Sequence, residues 1–152
     1  MHDGPALAET LMRDVPGDDR GYRFLPKVSW RSRQLSRLTT TVDLSLIALR
    51  TGKDLGAIGQ DSWLTSCDAD DYPQTREWSR WLRQTDPTAH GAVWLSKRDP
   101  GETVMVIWED RCPRGALVPA PGPIAVPCRF DADDGFVWLR ANLGHYRVAI
   151  RQ

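Results

Sequence analysis

An α+β fold is the class this sequence predicts, and three observations predict it. A strong helical pattern runs over residues 71 to 85. Two apolar segments, AVWL and TVMVIW, flank a polar loop that begins at Ser96. Short β-branched and apolar runs elsewhere come in clusters rather than alternating with helices, as a βαβ array would require.

The elements follow in chain order. PALAETLMRDVP, residues 5 to 16, reads as a short helix: Pro5 suits the first turn, Leu7 and Leu11 share a face with Ala8 and Met12 beside them, and Pro16 and Gly17 end it. GDDRG reads as a turn and YRFLP as a strand closed by Pro26. Ser29 is placed to cap a helical turn over WRSRQL. LSRLTTTVDLSLIAL reads as two extended segments around Thr41, with Val42, Leu44 and Leu46 alternating on one face, and DLGAIG as a helical turn. In the 71–85 helix Asp70 and Asp71 stand where carboxylates cap free N–H groups and Pro73 fits the first turn. Tyr72, Thr75, Trp78, Trp81 and Leu82 recur at helical spacing. DPTAHG breaks that helix, and strands over 92–96 and 103–109 follow. Trp78, Leu82, Val93, Val104 and Val106 are expected to pack these elements together, with Trp81 and Trp108 also in the core. The 112–127 stretch is too rich in proline for a central strand and is expected to cover the fold as a loop. Residues 128–152 read as a helix ended by Gly144 and then a terminal strand.

At 152 residues the chain is expected to form one domain. Formal net charge is zero, so no global field draws it to nucleic acid or to an anionic membrane. Cys67, Cys112 and Cys128 are odd in number and dispersed, and His2, His90 and His145 lie far apart, so neither a disulfide framework nor a metal site is expected. With no secretory segment and no apolar run of membrane-spanning length, the expected location is the cytoplasm. The two common nucleotide fingerprints, GxGxxG after a strand and GxxxxGK[ST], are missing.

Three stretches together resemble the RES domain, a bacterial family named for an arginine, a glutamate and a serine. ALAETLMRDVP is similar to its glutamate helix, in which an alanine stands three residues before the glutamate, matching Ala6 and Glu9. RQLSRLTTTVDLSLIALRTG resembles its middle strands. YPQTREWSRWLRQT followed by HGAVWLSKRDPGETVMVIWED resembles its helix, its serine strand and the strand after it, which maps Ser96 onto the serine. The resemblance runs from residue 5 to residue 111 and more loosely to the end, and treats residues 1–152 as a single RES-like domain.

The resemblance implies an ADP-ribosyltransferase-like fold, a split and mainly antiparallel sheet with flanking helices around an NAD⁺ cleft. It implies a toxin of a toxin–antitoxin pair that cleaves NAD⁺ at the nicotinamide–ribose bond by phosphorolysis or hydrolysis. NAD⁺ is then a substrate, no metal is needed, and the protein partner is an antitoxin with a helix-turn-helix region. The family's arginine and a tyrosine precede its glutamate helix. Only eight residues precede Glu9 here and none is arginine or tyrosine. The front strands are therefore expected to be missing, with little NAD⁺ cleavage and poor solubility until they are restored. The alternative is a catalytically incomplete remnant that binds the antitoxin without turnover.

Each site residue has a plain reading beside the implied one. Glu9 reads as a carboxylate in the first turns of its helix, suiting the dipole and pairing with Arg13 on the surface; the resemblance makes it a catalytic group that orients the ribose and stabilises developing positive charge. Ser96 reads as a strand-end turn residue; the resemblance places its hydroxyl on NAD⁺ as a positioning group. Arg98 is a solvated loop cation or, with its planar fork, a pyrophosphate ligand. Trp94 shares the face of Ser96 in a strand and lines the cleft. Lys97 follows as a loop cation, His90 as a loop residue, and Tyr72 as an anchor of its helix.

Overall fold

A computed structural model describes residues 3–121 and 127–150. Its helices are α1 (Gly4–Thr10), α2 (Gly52–Ala57), α3 (Trp63–Ser66), α4 (Tyr72–Thr85) and α5 (Asp133–Gly144). Its strands are β1 (Arg23–Leu25), β2 (Gln34–Leu35), β3 (Leu38–Thr40), β4 (Leu46–Leu49), β5 (Gly91–Leu95), β6 (Thr103–Ile107), β7 (Leu117–Pro119), β8 (Cys128–Arg129) and β9 (Val148–Ile150). The class is α+β: small sheets, mostly antiparallel, with helices packed on them. The pairs β2–β8, β3–β7 and β5–β6 are antiparallel, and β1–β9 and β4–β5 are parallel. A parallel pair needs a long crossover, and between β4 and β5 the chain spends it on α2, α3 and α4.

Two apolar clusters result. One gathers Leu7, Ala8, Leu11 and Met12 with Leu25, Trp30 and Leu35 and with α5 and β9 through Leu139, Leu143, Val148 and Ile150. The other gathers Leu49, Leu55, Leu64, Leu82 and Ala92, with Trp78 and Trp94 partly buried against it. The register puts Ile47, Leu49, Ala92, Trp94, Val104 and Val106 on the face of the β4–β5–β6 sheet that meets α4. On the other face Leu95 and Met105 are exposed. The α1 segment belongs to the first cluster through Leu7 and Ala8, while its Glu9 side turns to the loop after β5.

Polar clamps fix α4 at both ends. Near its start Trp63 Nε1 donates to Asp71 at 3.1 Å and Arg13 Nε donates to the Tyr72 hydroxyl at 2.7 Å. At its end Arg111 donates to the carbonyls of Arg83 and the C-cap residue Asp86, groups that a helix C-terminus leaves unpaired, and to that of Ala89 in the segment after the helix. The guanidinium groups of Arg83 and Arg111 also lie 5.0 and 5.1 Å from the ring of buried Trp108.

Several expectations are corrected. The first helix stops at Thr10, and a turn carries Leu11 and Met12 into the core. Asp71 makes no side-chain cap on α4, because its carboxylate accepts from Trp63 instead. The helical turn near Ser29 lies one step earlier, over Lys27–Ser29, and Gln34–Leu35 is a strand because β8 offers it a partner. Val42 and Leu44 do not alternate in a strand. Thr41 directs its N–H to Ala116 and its hydroxyl to Gly115, which ends β3, and no strand is formed again until β4 meets β5. Trp81 is 42 % exposed and Val106 40 %; Trp81 stacks edge-on against Trp78 rather than entering the core. Trp78 is half-buried. The proline-rich stretch contributes one short strand, β7, in a two-stranded sheet, as an edge position allows; residues 122–126 of that stretch lie outside the described residues. The short helix α3 has no counterpart in the sequence reading. Among the described residues no helix is long and apolar enough to cross a membrane.

Candidate functional site

Because α1 ends at Thr10, Glu9 lies in its last turn rather than in the first turns of a longer helix. There the helix dipole opposes a negative charge, so its carboxylate needs other partners. The β5–β6 loop supplies them. Ser96 Oγ donates to Glu9 Oε1 at 2.7 Å, and the Lys97 N–H donates to the same oxygen at 2.8 Å. Arg13, one turn on, pairs with Oε2. The Glu9 side chain is 6 % accessible and Ser96 is 4 % accessible. The plain reading of a surface ion pair is therefore corrected: Glu9–Arg13 is a largely enclosed pair joining α1 to a loop 87 residues away.

Ser96 also does what a turn serine does. Its Oγ accepts from the N–H groups of Asp99 at 3.0 Å and Arg98 at 3.3 Å, closing the loop on itself. The tight loop aims successive N–H groups inward, and the Glu9 carboxylate sits on them.

Around this pair the cations and carboxylates balance. Arg13 donates to Tyr72, whose hydroxyl donates to Asp14 at 3.0 Å. Lys97 Nζ donates to Asp68 at 2.6 Å and to the Cys67 carbonyl at 3.1 Å. Arg98 directs Nε and Nη2 to the carbonyl of Arg13, with Nε at 2.8 Å. Farther along the loop, Tyr146 beyond α5 donates to Asp99 at 2.7 Å. Burial pushes the Glu9 carboxyl up, but the Ser96 hydrogen bond and the Arg13 charge outweigh it and hold the group below its ordinary value. Burial and the hydrogen bond to Asp99 push the Tyr146 phenol up to about 12.

The structure thus brings Glu9 and Ser96 together. Trp94, two residues before Ser96, lines a cleft of about 350 Å³ between α4 and the sheet, and Arg13 and Tyr72 line it too. Arg98 lies in the same loop with its fork on the Arg13 carbonyl. His90 is a strut outside the site: its Nδ1 accepts from the Ser45 N–H at 3.0 Å where β4 begins. The sequence reading missed the roles of Asp14, Asp68 and Asp99. Each meets its partner across 29 to 58 positions of chain, and no local pattern marks such a contact. Arg13 was visible through its four-residue spacing from Glu9.

Such an arrangement can hold an ionised carboxylate and a hydroxyl against each other in a shielded place beside an aromatic cleft. Among the described residues no group of three or more His, Cys, Asp or Glu side chains is placed to hold a metal ion. A family model described as RES domain matches residues 3–131 of the chain. No curated protein and no solved structure matches it.

Proposed function

The chain belongs to the RES domain family, and from that premise we propose that its Glu9–Ser96 site cleaves NAD⁺ at the nicotinamide–ribose bond. The observation that carries the reading is the 2.7 Å bond between Ser96 Oγ and Glu9 Oε1. The two residues that match the family's glutamate and serine meet, both shielded from water.

In this reading the carbon–nitrogen bond at the ribose breaks and nicotinamide leaves with the electron pair. An oxygen of water or phosphate forms the new bond to the same carbon, and water gives up a proton. Glu9, kept ionised by Arg13 and the loop N–H groups, supplies negative charge where positive charge develops. To reach a ribose hydroxyl it exchanges its bond with Ser96, and the freed Ser96 hydroxyl turns to the substrate as a positioning group. Trp94 borders the substrate. Arg98 commits two of its five donors to Arg13, and the outer side of its fork serves the pyrophosphate. The protein partner is an antitoxin of helix-turn-helix type.

The test is nicotinamide release from NAD⁺, with and without phosphate, by the purified chain alone and by the chain joined at its N-terminus to strands carrying the family's arginine and tyrosine. Release that disappears in Glu9→Ala and falls at least about tenfold in Ser96→Ala is expected, by the usual cost of losing one transition-state contact. Release that survives Glu9→Ala would overturn the reading. A second reading, antitoxin binding without turnover, is favoured by one observation: both Glu9 oxygens already have protein partners. It predicts antitoxin capture by a chain that releases no nicotinamide.

A further inference from the structure

We infer that Tyr146 is a positioning residue for the Glu9–Ser96 site: from the turn between α5 and β9, its bond to Asp99 sets the loop that aims the Ser96 hydroxyl at Glu9. The Tyr146 hydroxyl donates to Asp99 at 2.7 Å, 47 positions back along the chain. Tyr146 lies beyond residue 131, where the family match ends.

Asp99 gives the loop its shape. Its N–H donates to Ser96 Oγ at 3.0 Å, its carbonyl accepts from the Glu102 N–H at 3.0 Å, and the Glu102 carbonyl accepts from the Ser96 N–H at 2.8 Å. A hydroxyl has one proton and two acceptor positions. With the N–H groups of Asp99 and Arg98 on the acceptor side of Ser96 Oγ, its proton is left for Glu9 Oε1. Lys97 and Arg98 tie the front of the loop to Asp68 and to the Arg13 carbonyl. Asp99 ties its far side to Tyr146.

The other end of that tie is rigid. The Tyr146 ring packs against the cluster that holds the fully buried Leu139 and Leu143 of α5, and its N–H donates to the Leu143 carbonyl at 3.0 Å. Arg147, next in the chain, is the one non-glycine among the described residues with a positive φ, 56°. A side chain in that left-handed region persists where its surroundings over-determine it. Here the Arg147 N–H donates to the Gly144 carbonyl at 3.1 Å, and the Arg147 carbonyl accepts from the Arg23 N–H at 3.0 Å as β9 joins β1. Burial and the Asp99 bond push the Tyr146 phenol up to about 12, so it stays a donor at neutral pH.

The inference rests on the NAD⁺ reading only for what the site does. Its test is the titration of the Glu9 carboxyl, followed by NMR in the full chain without substrate. Burial raises that carboxyl, while the Ser96 bond and Arg13 hold it below 4.5. Tyr146→Phe removes a hydroxyl and no charge, and by letting the loop drift it should raise the Glu9 value towards 4.5. Asp99→Ala should raise it too, although removing a nearby negative charge by itself lowers a carboxyl; the sign separates position from charge. Asp99→Asn keeps an acceptor for Tyr146 and should leave the value low. In a Ser96→Ala background Tyr146→Phe should move it no further. A Glu9 titration that Tyr146→Phe leaves unchanged, or that Asp99→Ala lowers, would overturn the inference. So would an equal response to Tyr146→Phe in the chain that lacks the Ser96 hydroxyl. Nicotinamide release should fall at least about tenfold in Tyr146→Phe. A wild-type chain that releases none, while its Glu9 titration responds to Tyr146→Phe, would sink the NAD⁺ reading alone.

Discussion

The hydroxyl of Ser96 donates to Oε1 of Glu9 at 2.7 Å across 87 positions of sequence. That bond ties the last turn of α1 to the loop after β5, so its removal is a stability experiment as well as a functional one. Ser96→Ala also strips an acceptor from the N–H groups of Arg98 and Asp99. Leaving buried groups unsatisfied costs ~1–3 kcal/mol. Urea unfolding should show that loss; a change no larger than that of an exposed substitution would mean the bond does not hold the loop.

The carboxyl of Glu9 gives stability a pH dependence of known sign. Its folded-state value lies below the ordinary 4.5. As pH falls, the unfolded chain therefore takes up the proton first. The contribution is complete above about 4.5 and is lost as pH falls through the lower folded-state value. The stability difference between wild type and Glu9→Gln should shrink on acidification below that point. A difference that widens would contradict the assignment.

Two glycines should tolerate no methyl group. A Cβ at Gly91 would stand 2.0 Å from the Val106 carbonyl oxygen, and one at Gly135 would stand 1.9 Å from that of Arg129. Backbone must move in either case, so Gly91→Ala and Gly135→Ala should each cost about 3 kcal/mol. Gly56 in α2 faces open space, and Gly56→Ala should instead stabilise by ~0.5–1 kcal/mol. Thermal melting of the three variants would show the contrast.

Helix α5 offers an internal comparison. Leu139 is fully buried and Val137 is 66 % exposed. Leu139→Ala should cost ~2–5 kcal/mol through transfer and cavity terms, whereas Val137→Ala should stay within ~0.5 kcal/mol. Chemical denaturation of both variants measures it; equal costs would show that the α1–α5–β9 cluster does not carry the fold.

What the sequence by itself determined is what short-range periodicity can encode. The α4 helix was legible from Tyr72, Thr75, Trp78 and Leu82 at helical spacing, and β5 and β6 from two apolar runs around a turn. Leu7 in α1 and Leu11 just beyond it were legible as a buried stripe. Glu9 and Ser96 were singled out through the order and spacing of stretches that resemble a family. Tertiary structure decided everything that depends on distant partners. Residues 34–35 and 117–119 are strands only because β8 and β3 pair with them. Asp71 turns from the helix end it was expected to cap to the indole of Trp63, and Trp81 stays in water because the stripe it extends is wider than the face α4 buries. The enclosure of Glu9 is the clearest case. Its sequence neighbours offered a surface pair with Arg13, and only the fold brings the Ser96 hydroxyl and the Lys97 N–H to its other oxygen. A carboxylate at the negative end of a helix becomes a stable, shielded anion when charge and hydrogen bonds from another element outweigh burial, and no local pattern carries that information.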